Sequence, residues 1–182
     1  MNLPNILTVS RIVMIPALVL VFFMPFQWAY MGSAIIFALA AVTDWLDGFL
    51  ARRWNQSTPL GAFLDPVADK LIVSVALALL IHDYGSVLLT IPAIVIIGRE
   101  IVISALREWM AEMGKRASVA VSFVGKFKTS FQMVAIVLLL AYPPGQPVAR
   151  AGLVILALAA GLTLWSMCVY LKAAWDEIGP ED

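Results

Sequence analysis

Charge, cysteine and histidine are all scarce in this chain. Only 13% of its 182 residues are charged and 62% are hydrophobic, whereas a soluble domain carries about a quarter charged residues. Lipid is the expected solvent, and little is left over for a soluble domain. With a single cysteine, Cys168, no disulfide framework is possible. Set among Leu164, Trp165 and Met167, it reads as a small apolar packing residue. The one histidine, His82, stands in the stretch His82-Asp83-Tyr84-Gly85 with no second nitrogen or sulfur ligand at hand, and it is assigned no role. Net charge is zero, no nucleic-acid partner is expected, and neither internal repeats nor low-complexity tracts occur.

What the chain does have is long apolar runs. A spanning helix needs about 20 mainly apolar residues, and six such stretches are present, roughly at residues 5–25, 30–53, 60–81, 86–109, 124–142 and 148–172. The expected fold is all-α, a polytopic membrane protein with six transmembrane helices forming a single domain over residues 1–182. Arg11 and Pro16 interrupt the first stretch and no A-x-A pattern follows, so it is expected to be retained rather than removed as a secretion signal.

The few charges are distributed unevenly. If the six spans alternate, the loops near 25–29, 82–86 and 143–148 share one side, where Arg150 is the sole basic residue. Arg52, Arg53, Arg107, Lys115, Arg116, Lys126, Lys128 and Lys172 fall toward the other side, which the positive-inside rule makes cytoplasmic, together with both termini. Trp28, Tyr30, Tyr84 and Tyr142 then lie at outer borders and Trp54, Trp109 and Trp175 at inner ones, as interfacial anchors do. The basic connection at 110–124 is a solvated loop or a lure for anionic lipid or substrate.

Four carboxylates violate the apolar pattern. Asp44, Asp47, Asp65 and Asp69 lie inside the second and third spans, where an ionised side chain costs at least ~2.5–3.5 kcal/mol at the bilayer centre. Asp44 and Asp47 are three residues apart and Asp65 and Asp69 four apart, so each pair shares a helix face. At about 1.5 Å per residue, Asp47 lies about 7.5 Å before Arg52, and Asp65 about 9 Å beyond a helix start at Thr58-Pro59. Antiparallel neighbours would thus bring all four acids to one level near the cytoplasmic face. Hard oxygen donors of this kind suit two divalent metal ions, Mg²⁺ or Mn²⁺, and a metal pair is suited to displacement at phosphorus. Gly48, Ala51, Gly61, Ala62 and Ala68 continue the same faces with small side chains, leaving room for a nucleotide diphosphate; close helix packing is the plainer account of the glycines. A metal transporter is a rival reading, since intramembrane acids also mark ion pathways, but the acids lie off-centre and no repeated halves occur. A structural scaffold offers no reason for the four acids.

The stretch Asp44-Trp-Leu-Asp47-Gly48-Phe-Leu-Ala51-Arg52, eight residues, Gly61-Ala-Phe-Leu-Asp65-Pro-Val-Ala-Asp69 resembles, at every fixed position, the D-x-x-D-G-x-x-A-R-x8-G-x-x-x-D-x-x-x-D signature of the CDP-alcohol phosphatidyltransferases. The resemblance implies a six-helix membrane domain, a homodimer, in which Asp44, Asp47 and Asp65 are the main metal ligands. Asp69 would stand near a metal and serve as the catalytic base toward the acceptor hydroxyl. Gly48, Ala51, Arg52 and Gly61 would line the site for the CDP-linked lipid.

Outside the signature, Asn5-Ile-Leu-Thr8-Val-Ser-Arg11, Arg99-Glu100 through Ser104-Ala-Leu-Arg107-Glu-Trp, and Gly125-Lys126-Phe-Lys128-Thr129 resemble bacterial members of the family that use glycerol 3-phosphate as acceptor. The implied location is the bacterial inner membrane, with the site facing the cytoplasm and membrane lipid as a partner. The implied reaction joins CDP-diacylglycerol to glycerol 3-phosphate with release of CMP. A phosphorylated acceptor needs cationic donors, and Thr8, Arg11, Arg99, Arg107, Lys126 and Lys128 are the candidates. Helix capping for Thr8, pairing with Glu100, Asp65 or Asp69 for Arg99, and inside anchoring for the other cations are the competing accounts. The signature alone does not separate this acceptor from inositol phosphate, serine or another lipid.

Overall fold

The computed structural model describes residues 3–54, 59–114 and 123–178. Among these the chain is entirely helical, with six helices: α1 (Leu3–Phe22), α2 (Ala29–Trp54), α3 (Pro59–Tyr84), α4 (Val87–Glu112), α5 (Phe123–Ala141) and α6 (Pro147–Ile178). Each coincides with one of the expected apolar stretches. Two of them, Val87–Glu112 and Pro147–Trp175, are long and apolar enough to cross a membrane; apolar segments within α1, α2 and α5 are shorter. The basic connection, over residues 115–122, lies outside the described residues.

Local chemistry sets the helix ends. Gly85 turns the chain between α3 and α4 with φ +53°, a conformation that a Cβ would penalise. Ser86 then caps α4, its hydroxyl accepting from the Leu88 amide at 3.3 Å. Pro59 and Pro147 open α3 and α6, where a missing amide hydrogen costs nothing. Pro66 sits within α3 directly after Asp65, removing one backbone donor from the helix beside a carboxylate.

The helices alternate in direction. One end of the bundle receives the start of α1, the end of α2 and the start of α3; the other receives the α1–α2, α3–α4 and α5–α6 connections. α1 packs on α2 and α3, α2 also on α5, and α6 on α4 and α5. Leu18, Phe37, Leu77, Leu80, Ile96, Ile136, Leu139 and Leu156 form a fully buried centre. α5 and α6 come close at Gly152, where an added Cβ would stand 3.0 Å from Leu139 Cγ and 3.2 Å from Leu138 Cβ. Large apolar side chains also cover the exterior: Val13, Leu20, Phe63, Leu88, Ile101 and Leu158 are all more than half exposed. A water-soluble protein rarely leaves so much apolar surface bare, and the molecule is built for a membrane.

Candidate active site

The polar residues gather at the end of the bundle where α2 finishes and α3 begins. Thr8 and Arg11, one turn apart on α1, both point inward and are 1% exposed. The Arg11 guanidinium donates through Nη1 to Asp44 Oδ1 on α2 and through Nη2, at 3.3 Å, to Asp65 Oδ1 on α3. The Thr8 hydroxyl donates to the same Asp65 oxygen. Two acids from different helices thus converge on one positive charge. The Asp44 and Asp65 side chains remain 43% and 39% exposed, so the cluster opens toward its surroundings.

One turn further along α3, Asp69 and Lys70 face a cavity of about 150 Å³. Its other walls are Val73, Arg99 and Glu100 of α4, and Thr129, Gln132 and Met133 of α5. Arg99 donates to Glu100 Oε1 at 2.7 Å. Its Nε is buried without a hydrogen-bond partner among the described residues, leaving donor capacity beside the cavity. Lys70 Nζ donates to Ser104 Oγ across the α3–α4 seam. Asp69 is half-buried one helical turn beyond Asp65 on α3, so the cavity adjoins the acid cluster. At about 150 Å³ the cavity falls well under the ~300 Å³ at which drug-sized pockets begin. It suits a small polar molecule.

The expected site residues are distributed as follows. Asp44, Asp65 and Asp69 stand at one end of the bundle, and Gly61 is buried on α3 between that end and Asp65. Asp47, Gly48, Ala51 and Arg52 belong to α2, and Lys126 and Lys128 to α5, but their side chains lie outside the described residues. Of the acceptor candidates whose side chains are described, Arg99 lines the cavity, Thr8 and Arg11 bond to the carboxylates, and Arg107 places its Cζ 5.6 Å over the Tyr170 ring of α6. Lys70 and Gln132 were not foreseen as cavity residues. Gln132 had a visible signal: it is a polar residue in the apolar run of α5, three positions after Thr129.

Among the described residues no group of three or more carboxylate, histidine or cysteine side chains forms a metal site. The donor chemistry nevertheless fits hard divalent ions, because Asp44 and Asp65 approach a common cation with their oxygens partly open.

Residues 1–165 match the family model of CDP-alcohol phosphatidyltransferase, and the chain belongs to that family. The match takes in all three helices of the acid cluster and the whole cavity wall. Among individual relatives, a protein of Salmonella choleraesuis (strain SC-B67) is 60% identical over 177 residues, 97% of this chain and 97% of its own. One of Escherichia coli (strain K12) is 58% identical over 173 residues, 95% and 94% of the two chains. One of Pseudomonas fluorescens is 56% identical over 180 residues, 98% and 92%. All three bear the name CDP-diacylglycerol--glycerol-3-phosphate 3-phosphatidyltransferase.

Proposed function

We propose that this protein transfers the phosphatidyl group of CDP-diacylglycerol to sn-glycerol 3-phosphate, forming phosphatidylglycerophosphate and CMP on the route to phosphatidylglycerol and cardiolipin. The observation that carries the acceptor is the cavity, in which the carboxylate of Asp69 stands with two cations, Lys70 and Arg99. An alcohol that also bears a phosphate meets both needs at once: cations for the phosphate, a base for the hydroxyl. The relatives' shared name supports the same reading.

In this reading all six helices cross the inner membrane, the termini and the acid cluster face the cytoplasm, and residues 1–182 form one domain. The uneven basic residues support the orientation. The homodimer is supported by family resemblance. Acyl chains of the CDP-lipid leave sideways into lipid, past the apolar exterior.

Asp44, Asp47, Asp65 and Asp69 would hold the divalent ions, Mg²⁺ or Mn²⁺. When bound, these supply electrostatic stabilisation to the diphosphate and to the departing CMP. Gly48, Ala51, Arg52 and Gly61 make room for the CDP group, with Arg52 on its phosphates. Lys70 and Arg99 hold the acceptor phosphate away from the acids, which would otherwise repel it. Asp69 accepts the proton of the primary hydroxyl. The hydroxyl oxygen bonds to the lipid-side phosphorus, and the bond from that phosphorus to the CMP oxygen breaks with its electron pair on CMP.

The test is product identity. Purified protein in lipid or detergent is given CDP-diacylglycerol, Mg²⁺ and, in turn, glycerol 3-phosphate, glycerol, serine and inositol 1-phosphate. Glycerol 3-phosphate should yield CMP and phosphatidylglycerophosphate, with the other acceptors far poorer. Equal use of any other acceptor overturns the acceptor assignment.

A further inference from the structure

Gln132 is a buried primary amide at the edge of a polar cavity. It lies on α5 with only 4% of its surface exposed, next to Phe131, Met133 and Val134. A buried amide needs hydrogen-bond partners to offset its desolvation, and the space within its reach is the cavity lined by Asp69, Lys70, Arg99, Glu100 and Thr129. Among the described residues the Gln132 side chain makes no hydrogen bond; what it borders is the cavity beside Asp69.

The cavity's chemistry is divided between its walls. Among the described residues, α3 and α4 contribute the charged groups Asp69, Lys70, Arg99 and Glu100, and α5 contributes the neutral polar groups Thr129 and Gln132. On the acceptor reading given above, on which this inference rests, sn-glycerol 3-phosphate has three polar functions. The phosphate is matched by the cations and the primary hydroxyl by Asp69. The secondary hydroxyl at C2 remains, and it is neutral, with one hydrogen to donate and lone pairs to receive. A glutamine amide is its complement, carrying an acceptor oxygen and a donor NH₂ on one side chain. Lysine, arginine or an ionised carboxylate offers one half of that pairing.

We propose that Gln132 is a specificity-determining residue that binds the C2 hydroxyl of the acceptor, so that acceptors lacking this hydroxyl are rejected. The amide then meets its complement when the correct acceptor fills the cavity. A substrate without the hydroxyl leaves it stranded, which is how buried polar groups generate discrimination beyond the strength of one hydrogen bond.

The test compares sn-glycerol 3-phosphate with 3-hydroxypropyl phosphate, which keeps the phosphate and primary hydroxyl and lacks the C2 hydroxyl. The native protein should show kcat/KM lower by about 10- to 100-fold for the deoxy acceptor. Gln132→Leu, of similar size, should lose about as much with glycerol 3-phosphate and stay within about threefold of native protein with 3-hydroxypropyl phosphate. The KM for CDP-diacylglycerol should not move. Equal use of the two acceptors by the native protein overturns the proposal even where Gln132→Leu fails to fold. Equal losses by Gln132→Leu on both acceptors also overturn it, since they mark a purely structural glutamine. If the native protein releases no CMP with glycerol 3-phosphate, the acceptor reading itself falls; brisk turnover without C2 dependence removes only the role of Gln132.

Discussion

The two ends of this bundle obey different rules. Toward the end that carries Tyr84 and Tyr142, the helices meet through Leu77, Leu80, Leu139, Leu140 and Leu156, all fully buried, with polar links such as the Tyr30 hydroxyl donating to Asp83 at 3.2 Å. Toward the other end the same bundle holds Thr8 and Arg11 against Asp44 and Asp65, and next to them Asp69, Lys70 and Gln132 around a cavity. Burying such groups costs free energy that dispersion and packing elsewhere must offset. One end therefore supplies stability and the other accepts a cost in stability for chemistry. Substitutions should sort accordingly, by whether turnover or unfolding temperature moves.

The largest expected effect lies in the acid cluster. Asp44→Asn or Asp65→Asn should abolish CMP release and weaken Mn²⁺ binding, measured directly by the spin signal of the free ion. Wild-type turnover in either variant, or full activity of the native protein in chelator, would separate the cluster from catalysis. Next comes Asp69→Asn, expected to lower turnover by roughly 10² or more, the scale of losing a general base, while CDP-diacylglycerol binding and unfolding temperature stay near native. Near-normal turnover would remove Asp69 from the role of base.

Much of this contrast was legible from sequence. Six apolar runs predicted six helices because run length and helix rise are tied by simple geometry, and each run is found as one helix. The spacing of Asp44, Asp47, Asp65 and Asp69 predicted four acids at one level from helix periodicity; Asp44 and Asp65 meet on Arg11, and the Asp47 side chain lies outside the described residues. Partners across helices were harder. Arg11 reads from sequence as a cytoplasmic anchor or a phosphate ligand, yet it is buried against Asp44 and Asp65; charge and position along a helix do not reveal depth. Arg107 lies two turns from Arg99 on α4, close enough to suggest one shared task. Its contact with Tyr170 depends on how α6 packs, which no local pattern encodes.

That separation of Arg99 from Arg107 yields the next test. Arg99→Gln should raise the KM for glycerol 3-phosphate by about 10- to 100-fold, matching about 1.5–3 kcal/mol for a charged hydrogen bond. Arg107→Gln should have a smaller effect, because that guanidinium rests on an aromatic face away from the cavity. Steady-state kinetics with each substrate varied in turn decides it. Equal KM shifts in the two variants would extend the acceptor site beyond the cavity walls.

The far end should respond in the opposite currency. Gly152→Ala inserts a Cβ 3.0 Å from Leu139 Cγ and 3.4 Å from the Ala135 carbonyl oxygen, so α5 and α6 must separate or Leu139 must move. A cost of about 1–3 kcal/mol is expected from overpacking, read as a lower unfolding temperature in detergent with kcat preserved. A fall in kcat at unchanged unfolding temperature would mean that the α5–α6 seam is coupled to the cavity wall that α5 provides.

The smallest effect is expected at Tyr84, and it tests the comparison most finely. Its hydroxyl donates to the Leu139 carbonyl at 3.3 Å and to the Tyr142 carbonyl at 3.2 Å. Both acceptors lie at the C-terminal end of α5, where helix carbonyls lack partners of their own. Tyr84→Phe keeps the ring packed against the core and removes only those bonds. A typical hydrogen bond contributes about 0.5–1.5 kcal/mol net, and two long bonds sharing one hydrogen belong at the low end. The variant should unfold slightly earlier than native protein and turn over CDP-diacylglycerol and glycerol 3-phosphate at native rates. Loss of turnover in Tyr84→Phe would show that the apolar end transmits strain along α3 to Asp69, and the division of the bundle into a stabilising end and a reacting end would then fail.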